Sequence, residues 1–249
     1  GPLALRSRIA GADWSAPEPV QAATALDGDT LKLASGAEVR LIGIEAPKPG
    51  LAPGDPAMAA LAAGATAALS ERAAKGVMLR YDQLRQDRYG RVLAQVFAPD
   101  GSWLQAAQIA AGQARVHGDA GNRTGLRDLL AQERAARDAG LGIWWHRAFA
   151  IRRADDPKLA RLAGSFQIVA GRVAAAAIAR DAGYVNFGAD RRTDFTLVIR
   201  KPVLAMLDPA VVDLSRLNGR SIRCRGWLDL HDGPSMDLTC PEQIELPEA

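Results

Sequence analysis

The sequence has few of the residues that hold metal clusters. Its 249 residues include two cysteines and three histidines, and both cysteines, Cys224 and Cys240, lie near the C-terminus. A structural zinc site takes its four ligands mainly from these two residue types. Without a third cysteine, a Cys-rich zinc cluster is excluded.

Long apolar runs and a large excess of one charge are also missing. No stretch approaches the roughly 18 consecutive apolar residues of a membrane span, so we expect no membrane partner. The net charge is only +3, from 31 basic and 28 acidic residues, whereas nucleic-acid-binding domains are commonly strongly basic. Most of the basic residues are arginines, which suit bidentate phosphate contacts, but a GC-rich genome enriches arginine and alanine too. Charge alone therefore identifies no partner.

The chain is long enough for two modest domains with buried cores. Gly1 and Pro2 are typical of the remnant of a cleaved tag, and residues 1–17 are predicted to form an aperiodic tail. We expect domains at 18–146 and 165–249, joined by a charged linker at 147–164.

Apolar periodicity predicts five strands and three helices in the first domain. The strands are expected at 20–26, 30–33, 39–44, 77–82 and 92–97, and the helices at 58–74, 104–111 and 126–139. The turns Asp27-Gly28 and Ser35-Gly36 join the first three strands into a β-meander. The predicted fold class is therefore β-rich α+β.

Strand patterns return after residue 165. They predict strands at 166–177, 184–187, 194–200, 221–230 and 236–246, with a partly helical crossover at 202–217. Five strands with a helix after the third is the element order of an OB-fold, a small barrel that often binds oligonucleotides. Many unrelated β domains share this count, so the pattern predicts a second, smaller, five-stranded OB-like barrel without identifying its ligand.

Three short clusters in the first domain suit phosphodiester chemistry. They are the Asp-Gly-Asp-Thr turn at 27–30, the strand end at 39–47 and the Asp-Arg-Tyr-Gly-Arg turn at 87–91. Taken alone, each is an ordinary hairpin turn or amphipathic strand. Together they bring carboxylates, which suit a hard cation, and arginines, which neutralise a charged transition state, to adjoining strand ends. The residues concerned are Asp29, Glu45, Arg40 and Arg91.

In order and spacing these clusters, followed by a Leu-rich helix and Gly142-Ile143-Trp144, resemble the staphylococcal nuclease (thermonuclease) family. The resemblance covers residues 18–145 and implies a staphylococcal-nuclease-like OB barrel with three helices. It also implies the activity of an endonuclease that hydrolyses DNA and RNA with Ca²⁺. By position it implies metal ligands at Asp29, Glu45 and the Ala46 carbonyl, phosphate-binding arginines at Arg40 and Arg91, a nucleotide-side aromatic at Tyr89 and a supporting acid at Asp87.

The sequence departs from the family pattern at two positions. Glu45 stands where the family usually has Asp, which moves the ligand oxygen by one methylene. Lys48 stands where the family has its catalytic Glu, and a protonated lysine cannot take a proton from water. Lys48 can instead pair with Asp29 or Glu45, or hold a phosphate. We therefore expect a phosphodiester-binding site with a weakened Ca²⁺ site; Asp55, in the next loop, is a weaker candidate for the missing acid.

The second domain interleaves aromatic and arginine residues, a combination that can stack bases and follow a phosphate backbone. Arg191, Arg192 and Trp227 are its candidate nucleic-acid-binding residues, while Phe195 and other aromatics also suit the core of a small barrel. The whole arrangement resembles bacterial thermonuclease-like proteins with an added C-terminal OB-type domain.

Three functions are consistent with these features: a metal-dependent nuclease with a modified centre, a nucleic-acid-binding module without catalysis, and a protein-interaction module of two barrels. Lys48 weighs against the first function, and Asp29, Arg40 and Arg91 together weigh against the last. The expected partner is DNA or RNA, preferably single-stranded, bound by a monomer.

Cys224 and Cys240 flank the Asp232-Gly233 turn. If the strands pair antiparallel about this turn, the two cysteines lie within one residue of facing each other, and a β-bulge could align them. We therefore predict a disulfide, which would favour an exported protein, periplasmic or extracellular.

Overall fold

The structure is a computed structural model that describes residues 13–21, 23–190 and 192–247. The chain divides into two compact units, the first ending at Ala148 and the second beginning at Phe149. Most of the predicted linker at 147–164 thus belongs to the second unit, because Leu159 is fully buried and Arg152–Arg153 forms a short strand of that unit's sheet.

The described part of the first unit contains eight strands. They are β1 (Glu18–Val20), β2 (Ala23–Asp27), β3 (Thr30–Leu33), β4 (Glu38–Leu41), β5 (Gly43–Glu45), β6 (Val77–Arg80), β7 (Val92–Phe97) and β8 (Arg115–His117). Six of them form one sheet in the order β1-β6-β7-β4-β3-β2, while β5 pairs with β8. Within the six-stranded sheet β4 and β7 run parallel and the other neighbours antiparallel. β1 and β2 are consecutive in the chain yet lie at opposite edges, so the sheet curves back on itself.

Two predicted strands of the first unit are divided in the structure. The predicted strand at 20–26 forms β1 and β2, and the one at 39–44 forms β4 and β5. The second division falls at Ile42, just before Gly43, whose φ of +85° is a left-handed conformation that glycine adopts at little cost. The chain thereby leaves the sheet and pairs with β8, a strand that the sequence did not predict.

Three helices complete the first unit: α1 (Pro56–Ala73), α2 (Leu104–Ala110) and α3 (Leu126–Asp138). α1 begins where the Asp55 carboxylate accepts a hydrogen bond from the N–H of Ala57 at 2.9 Å, and Pro56 occupies its first turn. Its buried residues recur every three or four positions, as one face of a helix requires. They are Met58, Ala62, Ala65, Leu69 and Ala73.

Buried polar side chains connect these helices to the strands. Gln108 on α2 donates to the carbonyl oxygens of Gly28 at 2.7 Å and Ala65 at 3.0 Å. Glu133 on α3 accepts a hydrogen bond from the N–H of Val116 in β8 at 2.7 Å. Because an unpaired buried polar group costs about 1–3 kcal/mol, these bonds favour one placement of the β2–β3 turn and of β8.

The described part of the second unit also contains eight strands. They are β9 (Arg152–Arg153), β10 (Phe166–Arg172), β11 (Ala175–Ala179), β12 (Ala182–Asn186), β13 (Thr196–Arg200), β14 (Ser221–Leu230), β15 (Pro234–Asp237) and β16 (Ile244–Glu245), with one short helix, α4 (Lys201–Leu204). Their order is β11-β12-β13-β15-β14-β10-β9, and β16 pairs with β14. β13 and β15 run parallel, as do β9 and β10.

The predicted count of five strands is wrong for the second unit. The predicted strand at 166–177 divides into β10 and β11 at Val173, whose side chain is buried, and the one at 236–246 divides into β15 and β16 around a 3-10 helix at Pro241–Gln243. The remaining addition is β9, from the predicted linker. Among the described residues, none of the helices combines the length and apolar character needed to cross a membrane.

The predicted disulfide is also wrong, because Cys224 and Cys240 are separate, buried thiols. β14 and β15 pair only over the three residues next to their turn, and Cys224 lies opposite Ile244 of β16 instead. Cys240 caps the 3-10 helix between β15 and β16. Burial raises the pKa of the Cys224 thiol. The argument for export that rested on a disulfide therefore no longer holds.

Gly28 lies in the β2–β3 turn, where this turn meets α1 and the segment after β5. A Cβ atom at this position would lie 2.5 Å from the Cβ of Ala46 and 2.6 Å from the Cβ of Ala65 on α1. Both neighbours are buried, so neither can move aside cheaply. The β2–β3 turn can therefore pack against α1 only with glycine at this position.

Replacing Gly28 with alanine is expected to lower the free energy of unfolding by about 1–3 kcal/mol, the usual cost of overpacking a core. Gly64→Ala is the matched control, because its Cβ would meet only Gln113 Oε1, at 3.8 Å. Alanine inside a helix should raise stability there by about 0.5–1 kcal/mol. Denaturant unfolding of both variants measures the difference, and equal stabilities would contradict the packing argument.

Candidate functional site

The centre of the candidate site is the carboxylate of Asp29, which is 1% exposed and lies in the β2–β3 turn. One oxygen accepts a hydrogen bond from the N–H of Ala46 at 2.6 Å. The other accepts from Lys48 Nζ at 2.8 Å and from Thr30 Oγ1 at 3.2 Å, and it lies 3.4 Å from Nη1 of Arg40. A buried carboxylate is tolerated when it is paired and hydrogen-bonded, and here both oxygens are engaged.

Lys48 bridges two carboxylates. Its Nζ lies 2.6 Å from Oδ2 of Asp27 and 2.8 Å from Oδ1 of Asp29. Burial raises the pKa of Asp27, but hydrogen bonds from Lys48 and from the N–H of Asp29 outweigh it and lower that pKa to about 2. The Lys48 side chain is 36% exposed, so the ammonium also meets solvent. Of the two partners that the sequence offered for Lys48, Asp29 and Glu45, the structure pairs it with Asp29. Asp27 was not predicted as a partner, because Asp-Gly is also an ordinary hairpin-turn sequence.

Arg40 is oriented by backbone carbonyls. Its Nη1 donates to the carbonyl oxygens of Leu41 at 2.7 Å and Asp29 at 3.3 Å, and its Nη2 donates to that of Ile44 at 2.7 Å. The antiparallel register pairs Arg40 with Thr30, directly after Asp29. Because the guanidinium is planar, three such bonds define its orientation.

Glu45 pairs with an arginine that the sequence did not identify. The β5–β8 register places Glu45 opposite Arg115, whose Nε and Nη2 lie 3.1 and 2.9 Å from Oε2 of Glu45. Burial raises the pKa of Glu45, but the charges of Arg115 and His117 lower it by more, so the net shift of this pKa is downward. Burial also lowers the pKa of His117. Arg115 was missed because β8 has only three residues, too few for a periodic pattern.

The turn at 87–91 is held by its own acid. The Asp87 carboxylate accepts hydrogen bonds from the N–H groups of Tyr89 at 2.9 Å and Arg91 at 3.0 Å, and from Arg91 Nε at 2.7 Å. Burial raises the pKa of Asp87, but these bonds lower it overall. The Tyr89 ring is 70% exposed, with the guanidinium carbons of Arg88 and Arg91 at 4.8 and 5.9 Å from its centre.

The structure thus gathers five of the eight site residues predicted in the first unit: Asp29, Arg40, Glu45, Ala46 and Lys48. The turn carrying Asp87, Tyr89 and Arg91 leads into β7, whose parallel register pairs Leu93 with Arg40. Arg91 directly precedes β7, and the contacts that hold its side chain lie within its own turn, with Asp87 and Tyr89. Asp55 is engaged elsewhere, since it caps α1 and lies 3.0 Å from Nε2 of His146.

The two described candidates of the second unit, Trp227 and Arg192, have different surroundings. Trp227 on β14 is 55% exposed, and its ring contacts Phe166 edge-on at 6.3 Å. Arg192 lines a different surface, together with Asn186 and Asp190. Arg191 lies outside the described residues, and Phe195 is a core residue with 1% exposure.

The arrangement does not fit a Ca²⁺ ion. Ca²⁺ takes six to eight oxygen ligands, and nowhere in residues 13–21, 23–190 and 192–247 do three or more acidic, His or Cys side chains form a group able to hold a metal. The Asp29 carboxylate is occupied by Lys48 and Arg40, and that of Glu45 by Arg115. Protein cations therefore take the positions that a metal ion would need.

A β-rich domain that gathers carboxylates, arginines and a lysine at its strand ends has the groups used by proteins that handle phosphodiesters. The family described as Staphylococcal nuclease homologue matches residues 38–146. The chain is also 34% identical over 125 residues to an uncharacterized endonuclease of Escherichia coli, which covers 48% of this chain and 72% of that relative. The chain therefore belongs to the staphylococcal nuclease family, as the sequence motifs predicted.

Addition of Ca²⁺ is expected to leave the melting temperature unchanged. A ligand that binds only the folded state stabilises it by RT ln(1 + c/Kd), where c is the free ligand concentration, and the carboxylates here are already paired with protein cations. Differential scanning fluorimetry with Ca²⁺, Mg²⁺ or EDTA measures this. A melting temperature that rises steadily with the logarithm of the Ca²⁺ concentration, and not with Mg²⁺, would contradict the expectation.

Proposed function

We propose that the first unit binds the phosphodiester backbone of nucleic acid and hydrolyses it slowly or not at all. The observation that carries this proposal is the position of Lys48, which stands at the place of the family's general base and bridges Asp27 and Asp29. The family supplies the expectation of a nucleic-acid ligand, and Lys48 supplies the expectation of impaired catalysis.

The charges of the site support phosphate binding without a metal ion. Three carboxylates are matched by three cations: Asp27, Asp29 and Glu45 face Arg40, Lys48 and Arg115. An ammonium group has three donors, and Lys48 uses two of them on Asp27 and Asp29, so the third can reach a phosphate oxygen. Arg91 beside the exposed Tyr89 ring offers a second cation for the backbone.

The same contacts argue against efficient hydrolysis. Attack on a phosphodiester needs a base that removes a proton from water. Lys48 has no carboxylate to do this, and its Nζ is already engaged with Asp27 and Asp29. Loss of a general base typically lowers the rate by about 10²–10⁴-fold, so residual cleavage is compatible with this proposal.

A metal-dependent nuclease is the second candidate, because the relative in Escherichia coli is named an endonuclease. The two candidates differ in what Lys48 does. If the protein only binds phosphodiesters, the Lys48 side chain occupies the positions that a metal ion and a general base would have. If the protein is an active nuclease, Lys48 has to move away from Asp29. The protein-interaction alternative gives no reason for a cluster of arginine and lysine side chains, the residues that commonly bind phosphate groups.

We also propose that both units are OB-type barrels. In each unit the first long predicted strand is divided into two pieces. β1 and β2 lie at the two ends of the first strand path, and in the second path β11 lies at one end and β10 at the other end next to β9. If each divided strand is counted once and β5, β8, β9 and β16 are left out, the third and fifth strands in chain order run parallel in both units, β4 with β7 and β13 with β15. A helix precedes the fourth strand in each unit. This strand order supports closure of both sheets, which an OB-fold requires.

Lys48→Glu is expected to raise Ca²⁺ affinity and cleavage of single-stranded DNA together, because it removes a cation beside Asp29 and restores an acid at the base position. Lys48→Gln is the control, since it removes the charge without adding a carboxylate. Cleavage by wild type and both variants, side by side in Ca²⁺, tests the role of Lys48. Rapid cleavage by the wild type that Lys48→Glu abolishes would make Lys48 itself catalytic and overturn the proposal.

Arg40→Ala and Arg91→Ala should each weaken binding of single-stranded DNA and reduce the slope of log K against log salt by about 0.7, the value for one lost phosphate contact. Arg134→Ala, on the exposed side of α3, is the matched control and should leave the slope unchanged. Fluorescence anisotropy over a series of salt concentrations gives the slopes. Slopes equal to that of the wild type in both site variants would exclude these arginines as phosphate ligands.

A further inference from the structure

A cleft of about 740 Å³ lies on the outer face of the second unit's sheet. Its floor follows the strand register, in which Ala177 pairs with Tyr184, Tyr184 with Val198, and Val198 with Asp237. Paired residues point to the same face of a sheet, so Tyr184 stands in a row between two smaller apolar side chains. Its ring is 38% exposed. The floor is therefore an aromatic platform with open space beside it.

The two ends of this cleft carry unusual backbone conformations. Arg180, in the β11–β12 turn, and Asp232, in the β14–β15 turn, both line it. Of the described residues other than glycine, only these two have a positive φ, 57° in each. A left-handed aspartate is common in a hairpin turn before glycine, whereas a left-handed arginine is uncommon. Arg200 lines the cleft as well, with its Nε and Nη2 at 2.9 and 2.8 Å from Oδ2 of Asp237.

We propose that this cleft binds single-stranded nucleic acid, with one base stacked on Tyr184. An exposed ring can stack only on a base that has left the duplex, and every base offers a π-face, so such a platform selects single strands without selecting a sequence. Asn186 and Thr196 form the neighbouring row, in which Thr196 Oγ1 donates to Asn186 Oδ1 at 3.1 Å, and both side chains line the cleft. They offer donors and acceptors to the base edge. Nucleic acid as the ligand rests on the proposed function of the first unit, but the residues are separate from that site.

The charges of the cleft distinguish it from the first site. Arg180 and Arg200 are offset by Asp232 and Asp237, which line the same cleft. Affinity here therefore comes mainly from stacking and little from release of counterions, which is what makes nucleic-acid binding salt-dependent. This proposal differs from the expectation that Arg192 and Trp227 form the binding surface of the unit, since neither lines this cleft.

The test is binding of fluorescein-labelled oligo(dT) to the full chain by anisotropy, at several salt concentrations. Tyr184→Ala should weaken binding roughly 5- to 100-fold, the effect of losing one base stack, and leave the salt slope unchanged. Tyr184→Phe keeps the ring and should retain wild-type affinity. Trp227→Ala removes an exposed aromatic outside the cleft and should also bind as the wild type does.

Three results would overturn the proposal: unchanged affinity in a folded Tyr184→Ala variant, equal losses in Tyr184→Ala and Trp227→Ala, or displacement of oligo(dT) by a neutral chitin oligosaccharide. The last result would assign the cleft to carbohydrate. Failure of the first site looks different, because Arg40→Ala would then leave affinity and salt slope unchanged while Tyr184→Ala still weakened binding.

Discussion

A carboxylate that is nearly inaccessible to water has to be neutralised within the fold, and the first unit is arranged around this requirement at Asp29. The Ala46 N–H, Lys48 and Arg40 all approach its two oxygens. The turn that carries Asp29 reaches this depth because Gly28 leaves room for Ala65 of α1. Packing and electrostatics therefore depend on the same few residues.

The same neutralisation constrains the chemistry. A metal ion in this position would act as a cation, a template and a source of activated water, whereas the ammonium of Lys48 supplies the charge alone. Arg115 acts in the same way on Glu45, at 2.9 Å. Each pairing stabilises the fold and also removes a ligand from any divalent cation, which connects the stability of the site with the loss of catalysis that we propose.

The two strand paths have corresponding orders apart from β9, with β4 parallel to β7 in one and β13 parallel to β15 in the other, but the surfaces of the two units differ in chemistry. In the first unit, Asp27 at the end of β2 and Asp29 in the β2–β3 turn are paired with Lys48 of the same unit. In the second, the corresponding turn carries Arg180, and an aromatic ring occupies the face beside it. A shared topology thus fixes where loops and faces lie, while the side chains on them decide what can bind.

The sequence by itself determined the family, the three helices of the first unit and most of the site, because Asp29, Arg40, Glu45 and Lys48 lie in motifs whose spacing is local. It did not reveal β8, Arg115 or the role of Asp27, because a three-residue strand has no period to detect and its partner lies 70 residues away. The disulfide prediction was wrong because β14 exchanges β15 for β16 along its length. Only the tertiary structure decided these points, since each depends on which strands pair, and pairing between distant segments is set by burial and register across the whole unit.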